Sequence, residues 1–136
     1  MSQIGLIKKY FKKWLKPLGL LWWEINISFY TDPSEIVEKF RQLEDGFLVV
    51  MKVDADWRYM RAYISVNVPA FDGMNEEKIE CAIVHELCHV LVNEARAGDI
   101  DHEERVVTGL TKAFLWVEAD ALRSKDKDKT KHEKGN

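Results

Sequence analysis

A chain of 136 residues, 46% hydrophobic and 32% charged, is long enough for one domain with a real core and too short for two ordinary ones. Its net charge of −3 argues against a dedicated nucleic-acid binder, because no excess of lysine and arginine offsets phosphate charge. Cys81 and Cys88 lie about 10 Å apart along one predicted helix, too far to form a disulfide with each other. The chain therefore fits a reducing compartment.

The N-terminal segment, residues 1–16, predicts a basic amphipathic helix in which Ile7, Phe11 and Trp14 share one apolar stripe and lysines cover the rest. It lacks the features of a secretory signal, and the longest apolar run nearby is too short to span a membrane. We therefore expect a cytoplasmic protein. Such a helix could bind an anionic membrane surface, but packing of its stripe on the core is the favoured interpretation.

The next part of the chain predicts strands around a short helix. Residues 22–30 alternate between apolar and polar side chains as a strand does, and residues 31–43 have helical periodicity. Residues 47–57 and 59–68 predict two more strands joined by a hairpin. These patterns indicate an α+β fold with a small, mostly antiparallel sheet of about three strands.

The C-terminal half predicts two helices, at residues 75–96 and at about 102–123. Residues 124–136 have no large apolar side chain and predict a disordered, charged tail. We thus expect a single domain over residues 1–123.

The first of these helices contains the sequence VHELCH. Positions four apart lie on one face of a helix, so His85 and His89 can point two imidazole nitrogens at one metal ion. Glu86 lies about 100° around the helix from His85, where it can act on a metal-bound water. Two histidine ligands and a glutamate base on one helix are what the H-E-x-x-H motif of zinc peptidases provides. The opposite side of the helix is apolar, which predicts a helix that lines a cleft; its residues are Ile79, Ile83, Leu87, Val90 and Leu91.

Two other interpretations of this motif are weaker. The histidines could be ordinary surface residues, although the apolar flanks and the length of the helix argue against this. Cys81 and Cys88 could join them in a structural zinc site, but four ligands on two turns of one helix cannot easily close a tetrahedron. Buried cysteine more often behaves as a small apolar residue.

A catalytic zinc needs a third protein ligand. The extended pattern H-E-x-x-H-x-x-G-x-x-H is excluded, because Val92 and Ala95 occupy its glycine and last histidine positions. The remaining candidates are Asp99, Asp101, His102, Glu103 and Glu104.

The roles that these residues are expected to have at the start of the last helix distinguish the candidates. Asp101 and Glu104 resemble a capping box, which gives both a structural role at the start of the last helix. Glu103 shares the predicted buried stripe of that helix, where a carboxylate is costly unless it is paired or bound to metal. That stripe comprises Val106, Val107, Leu110, Phe114 and Val117. Glu103 is therefore the preferred third ligand and Glu104 the alternative.

With these residues, the chain resembles the gluzincin branch of zinc metallopeptidases, and most of all the small predicted metallopeptidases of phage and bacteria. The resemblance covers roughly residues 47 to 118, and its specific motif is His85–Glu86–His89. It implies a zincin-like fold, a bound Zn²⁺, a peptide or protein substrate, and Glu86 as general base. It also implies substrate binding by strand addition, for which residues 59–68 are the natural candidate, although an ordinary strand of the sheet is the favoured interpretation of this segment.

Hydrolysis by this route usually needs a side-chain donor that, together with zinc, stabilises the oxyanion formed from the peptide carbonyl. Tyr59, Tyr63 and His102 are the candidates, and the sequence does not choose among them. The alternative function is a zinc-binding interaction or regulatory module without significant protease activity. The small size of the chain favours this alternative, whereas Glu86 argues against it, because a structural site needs no general base.

Overall fold

The computed structural model describes residues 2–41, 49–93 and 103–134, with side chains as far as residue 125. Within these residues the chain forms four helices and a three-stranded sheet. The helices are α1 (Gln3–Leu15), α2 (Pro33–Phe40), α3 (Glu76–Leu91) and α4 (Glu103–Lys134). The strands are β1 (Glu24–Tyr30), β2 (Met51–Asp56) and β3 (Arg61–Asn67), and a 3-10 segment follows β3 at Val68–Phe71.

The sheet is mixed, which corrects the prediction of a mostly antiparallel one. Its strand order is β1-β3-β2, with β1 parallel and β2 antiparallel to β3. A tight turn after Asp56 joins β2 and β3 as the predicted hairpin, and β1 then pairs with the far edge of β3. The α+β class is confirmed.

The strand order also corrects the expected site of strand addition. Residues 59–68 contain β3, which is the central strand and is paired on both sides. Its inward side chains Ala62, Ile64 and Val66 are fully buried. Within the described residues, β2 pairs with β3 alone, so β2 is the edge strand on the side of α3.

Helix α1 packs on the core as its stripe predicts. Ser2 caps its first turn by accepting a hydrogen bond from the Gly5 amide (3.1 Å). Ile7, Phe11 and Trp14 are buried in the core, so this stripe is not available to a lipid surface. The helix ends in a turn where Gly19 has a φ of +72°, a conformation that favours glycine.

Helix α3 lies between the sheet and the other long helices, in contact with α1, β2 and α4. Asn75 caps it by accepting from the Lys78 amide (2.9 Å), and two glutamates in its first turn suit the helix dipole. Its predicted apolar side is confirmed by the burial of Ile79, Ile83, Leu87 and Val90. The opposite side of α3 therefore faces out of the core.

Helix α4 differs from its prediction in two ways. Its backbone remains helical to Lys134, where the sequence predicts a disordered tail from residue 124; no proline or glycine interrupts residues 110–134. Val107 is fully buried as predicted, but Val106 and Val117 are exposed. Leu110 and Phe114 are partly buried and pack against the core, so the predicted stripe is confirmed at these positions and at Val107 and is wrong at Val106 and Val117.

Candidate metal centre

The outer side of α3 carries the two histidines of the motif. Their ring centroids lie 5.1 Å apart with planes at 73°, one helical turn from each other. Both side chains are partly buried, 27% exposed at His85 and 16% at His89. Burial of the opposite side of the helix fixes their direction, because rotation of α3 would expose Ile83 and Leu87.

The start of α4 brings Glu104 to both histidines. One carboxylate oxygen lies 3.2 Å from His85 Nε2, and the other lies 2.7 Å from His89 Nε2. One ligand atom from each of His85, His89 and Glu104 can be chosen so that all lie within 4.8 Å of one another. The Glu104 side chain is 73% exposed, so one side of this cluster is open to solvent.

Glu103 occupies a different position around the same histidine. Its Oε2 atom lies 3.2 Å from His89 Nδ1, the ring nitrogen that faces away from Glu104. The pair is secluded, with side chains 17% and 16% exposed. A carboxylate on this nitrogen holds the proton there and leaves Nε2 as the acceptor, as carboxylates behind metal-binding histidines do. Of the two glutamates, the structure therefore places Glu104 in the ligand cluster and Glu103 behind it.

Glu86 lies in the wall of the cleft beside the histidines. Burial, reinforced by the negative charge of Glu104, raises the pKa of Glu86 to about 8. Within the described residues, no lysine or arginine forms an ion pair with it. In the metal-free protein Glu86 is therefore largely protonated near neutral pH, and a cation bound beside it would favour the ionised form that a general base requires.

The cleft in front of these residues has a volume of about 1050 Å³ and lies between α3 and the N-terminal half of β2. A smaller pocket of about 170 Å³ continues it past Glu86 and His89 towards Val53 and Ala55. A ligand bound in the cleft would therefore contact both β2 and the cluster of His85, His89 and Glu104.

The remaining sequence candidates do not join the cluster. The structure does not describe residues 94–102, which include the candidates Asp99, Asp101 and His102. The predicted capping box at Asp101 and the predicted helix end at residue 96 also lie outside the described residues. Tyr59 and Tyr63 line a separate cavity on the exposed face of the sheet, with Asp54, Asp56 and Arg61. The structure thus brings neither tyrosine to the cleft as an oxyanion donor.

The cysteines also lie apart from the ligand atoms. Cys88 is fully buried, and burial raises the pKa of its thiol although a hydrogen bond with Thr111 opposes this. Cys81 is exposed and lines the cleft one turn before His85. Neither belongs to the cluster of candidate ligands within the described part of the chain.

Asn93 is a site residue that sequence reasoning missed. Its Oδ1 atom accepts a hydrogen bond from the Trp57 amide (2.9 Å), and it lines the inner pocket beside His89. This bond ties the end of α3 to the β2–β3 turn. The signal was available, because Asn93 continues the i, i+4 spacing of His85 and His89.

No protein-family model, curated protein or solved structure matches this chain. Among the described residues, no helix combines the length and apolar character needed to cross a membrane. Because the comparisons find no match, the side chains of the cleft are the only guide to its function.

Proposed function

We propose that this protein is a zinc-dependent metalloendopeptidase of the gluzincin type. The observation that carries the proposal is the convergence of His85 Nε2, His89 Nε2 and the Glu104 carboxylate beside Glu86. Two imidazoles and one carboxylate form a donor set used by catalytic zinc, which keeps its fourth position for water or substrate. A third ligand from the start of α4 is also what the resemblance to gluzincins implies.

The donor atoms fit a zinc ion in spacing as well as in type. Two donors about 2 Å from a tetrahedral ion lie roughly 3.3 Å apart. His85 Nε2 lies 3.2 Å from Glu104 Oε2, and His89 Nε2 lies 2.7 Å from Glu104 Oε1. One ligand atom from each of the three residues can be chosen so that all lie within 4.8 Å of one another, so the side chains would draw together around the ion.

Bound there, zinc would lower the pKa of a water molecule and polarise the carbonyl of the scissile bond. Glu86 would accept the proton of that water and deliver it to the leaving amine. Glu103 would keep His89 in the tautomer that presents Nε2. An extended peptide would lie between α3 and β2, whose outer edge has no partner strand within the described residues.

The test is hydrolysis of quenched fluorescent peptides by zinc-loaded protein, wild type beside Glu86→Gln. Glutamine keeps the size of the side chain but cannot take up the proton. We expect cleavage to fall by about 10²- to 10⁴-fold in Glu86→Gln while zinc content stays equal. Equal cleavage by both proteins would trace the activity to a contaminant and refute the assignment of Glu86.

A zinc-binding interaction module is the second candidate, and one observation favours it. No tyrosine among the described residues lines the cleft, so neither Tyr59 nor Tyr63 supplies the oxyanion donor there. This candidate predicts that the wild-type protein binds zinc and captures peptides, without cleaving any peptide of a diverse library.

A further inference from the structure

The two ends of the cleft carry opposite charge. Strand β2 and helix α3 run alongside each other in the same direction, since Trp57 after β2 bonds Asn93 after α3. Val53 and Ala55 accordingly line the inner pocket beside Glu86 and the metal cluster. The earlier residues of both elements line the other end, which is basic; its cationic side chains are Arg41, Lys52 and Lys78.

These three cationic groups are available to a ligand. Arg41, Lys52 and Lys78 are exposed and form no side-chain ion pair with any residue the structure describes. Lys13, by contrast, pairs with Glu80 and Glu118. Three positive charges along one concave surface, none of them paired with an acidic residue of the described part of the chain, create a potential that attracts anionic groups and selects among ligands by charge.

The spacing along α3 relates the basic end to the proposed scissile bond. Lys78 precedes His85 by seven residues, about 10 Å along the helix axis. An extended peptide covers about 3.3 Å per residue, so this distance corresponds to about three residues. Between these points α3 lines the cleft with the small side chains of Cys81 and Ala82, and the apolar Val50, Met51 and Met74 lie at the basic end itself.

We propose that the cleft recognises extended peptides that carry acidic side chains about three residues to one side of the scissile bond. This substrate class rests on the proposed peptidase function. Arg41, Lys52 and Lys78 are thus the specificity-determining residues.

The test compares two fluorescein-labelled peptides, one with glutamates placed for the basic end and a twin with glutamine at each of those positions. Binding is measured by fluorescence anisotropy on zinc-loaded Glu86→Gln protein, so that cleavage does not interfere. We expect the acidic peptide to bind about tenfold more tightly at low salt, with a preference that declines as salt is added. Cleavage of both peptides by the wild type is measured in parallel.

Charge reversal at the basic end supplies the decisive variants. Lys78→Glu should keep the fold, because position 78 is exposed in the first turn of α3, where a negative side chain is favourable. Lys52→Glu changes an exposed residue of β2, and Lys12→Glu changes an exposed lysine that does not line the cleft. We expect the preference to vanish or invert in the first two proteins and to persist in Lys12→Glu.

Equal binding of the two peptides, or a preference that Lys78→Glu and Lys52→Glu leave intact, would overturn the proposal. Zinc-dependent cleavage of both peptides at equal rates would likewise reject the charge preference while leaving the peptidase function in place. Charge-dependent binding without cleavage would refute the peptidase function and support acidic-peptide recognition by the cleft of a non-catalytic module.

Discussion

Helix α3 carries glutamates in two settings, and the contrast between them shows which carboxylates serve the fold. Towards α1, Glu76 accepts a hydrogen bond from Tyr10 Oη (3.0 Å). Glu80 accepts from Trp14 Nε1 (2.8 Å) and pairs with Lys13 (2.6 Å). These carboxylates have fixed donors and a permanent cation, so the network is complete without a ligand.

Towards α4, the carboxylates meet histidines and one another. Glu86 and Glu104 repel each other, and neither is paired with a lysine or arginine of the described residues. Glu86 and Glu104 thus share a partly buried site in which no lysine or arginine of the described residues forms an ion pair with either of them. A divalent ion would supply the missing charge, as Lys13 does at the other site.

The largest expected effect comes from removing a histidine ligand. His89→Ala should weaken zinc binding about a thousandfold, because each protein ligand contributes several kcal/mol to the free energy of zinc binding. Competition with a chromophoric chelator measures this loss. Glu80→Gln, which changes the α1 network, is the control and should bind zinc as the wild type does. Equal zinc affinity in His89→Ala and wild type would show that the cluster does not bind the metal.

The raised pKa of Glu86 predicts how the stability of the metal-free protein changes with pH. A carboxyl group whose folded pKa is about 8 against an ordinary 4.5 binds its proton more tightly when folded. It therefore lowers the free energy of unfolding as pH rises from about 4.5 to about 8. Since the side chain is partly exposed, the loss should be on the order of 2 kcal/mol.

Urea denaturation of metal-free wild type and Glu86→Gln at a series of pH values measures this loss. Glutamine does not titrate, so the free energy of unfolding of the variant should fall less as pH rises. The variant should therefore be more stable than the wild type at the highest pH values of the series. Parallel curves for the two proteins would show that Glu86 titrates normally.

The smallest effect is expected in the α1 network. Glu80→Ala leaves the buried Trp14 Nε1 without its acceptor and should cost about 1 to 2 kcal/mol of unfolding free energy. Glu80→Gln keeps an acceptor for Trp14 and should cost less. Both are measured by urea denaturation of metal-free protein. A change in zinc affinity in either variant would mean that the two carboxylate networks are coupled, contrary to the comparison.

The sequence predicts the features that depend on local periodicity. The buried side of α3 and the stripe of α1 follow from the 3.6-residue repeat, and the alternation at Ile25, Ile27 and Phe29 correctly predicts the side of β1 that packs on the core. The outward direction of His85 and His89 follows from the same repeat. These features require no knowledge of how the elements pack together.

Features that depend on packing between elements were harder to predict. Neighbouring residues point about 100° apart on a helix, so the choice between Glu103 and Glu104 depends on how α4 is rotated. The burial of Val107 and Thr111 sets that rotation and turns Glu104 towards both Nε2 atoms. Strand order is equally non-local, and the local pattern of residues 59–68 does not reveal that β3 is the central strand.

The most direct test of the central claim is calorimetric titration of zinc into metal-free wild type, Glu103→Gln and Glu104→Gln. Our account predicts one zinc per wild-type chain, a loss of about a thousandfold in affinity for Glu104→Gln, and a loss of about 10- to 100-fold for Glu103→Gln. A larger loss in Glu103→Gln would exchange the two roles. Absence of zinc binding by the wild type would contradict the metal centre itself.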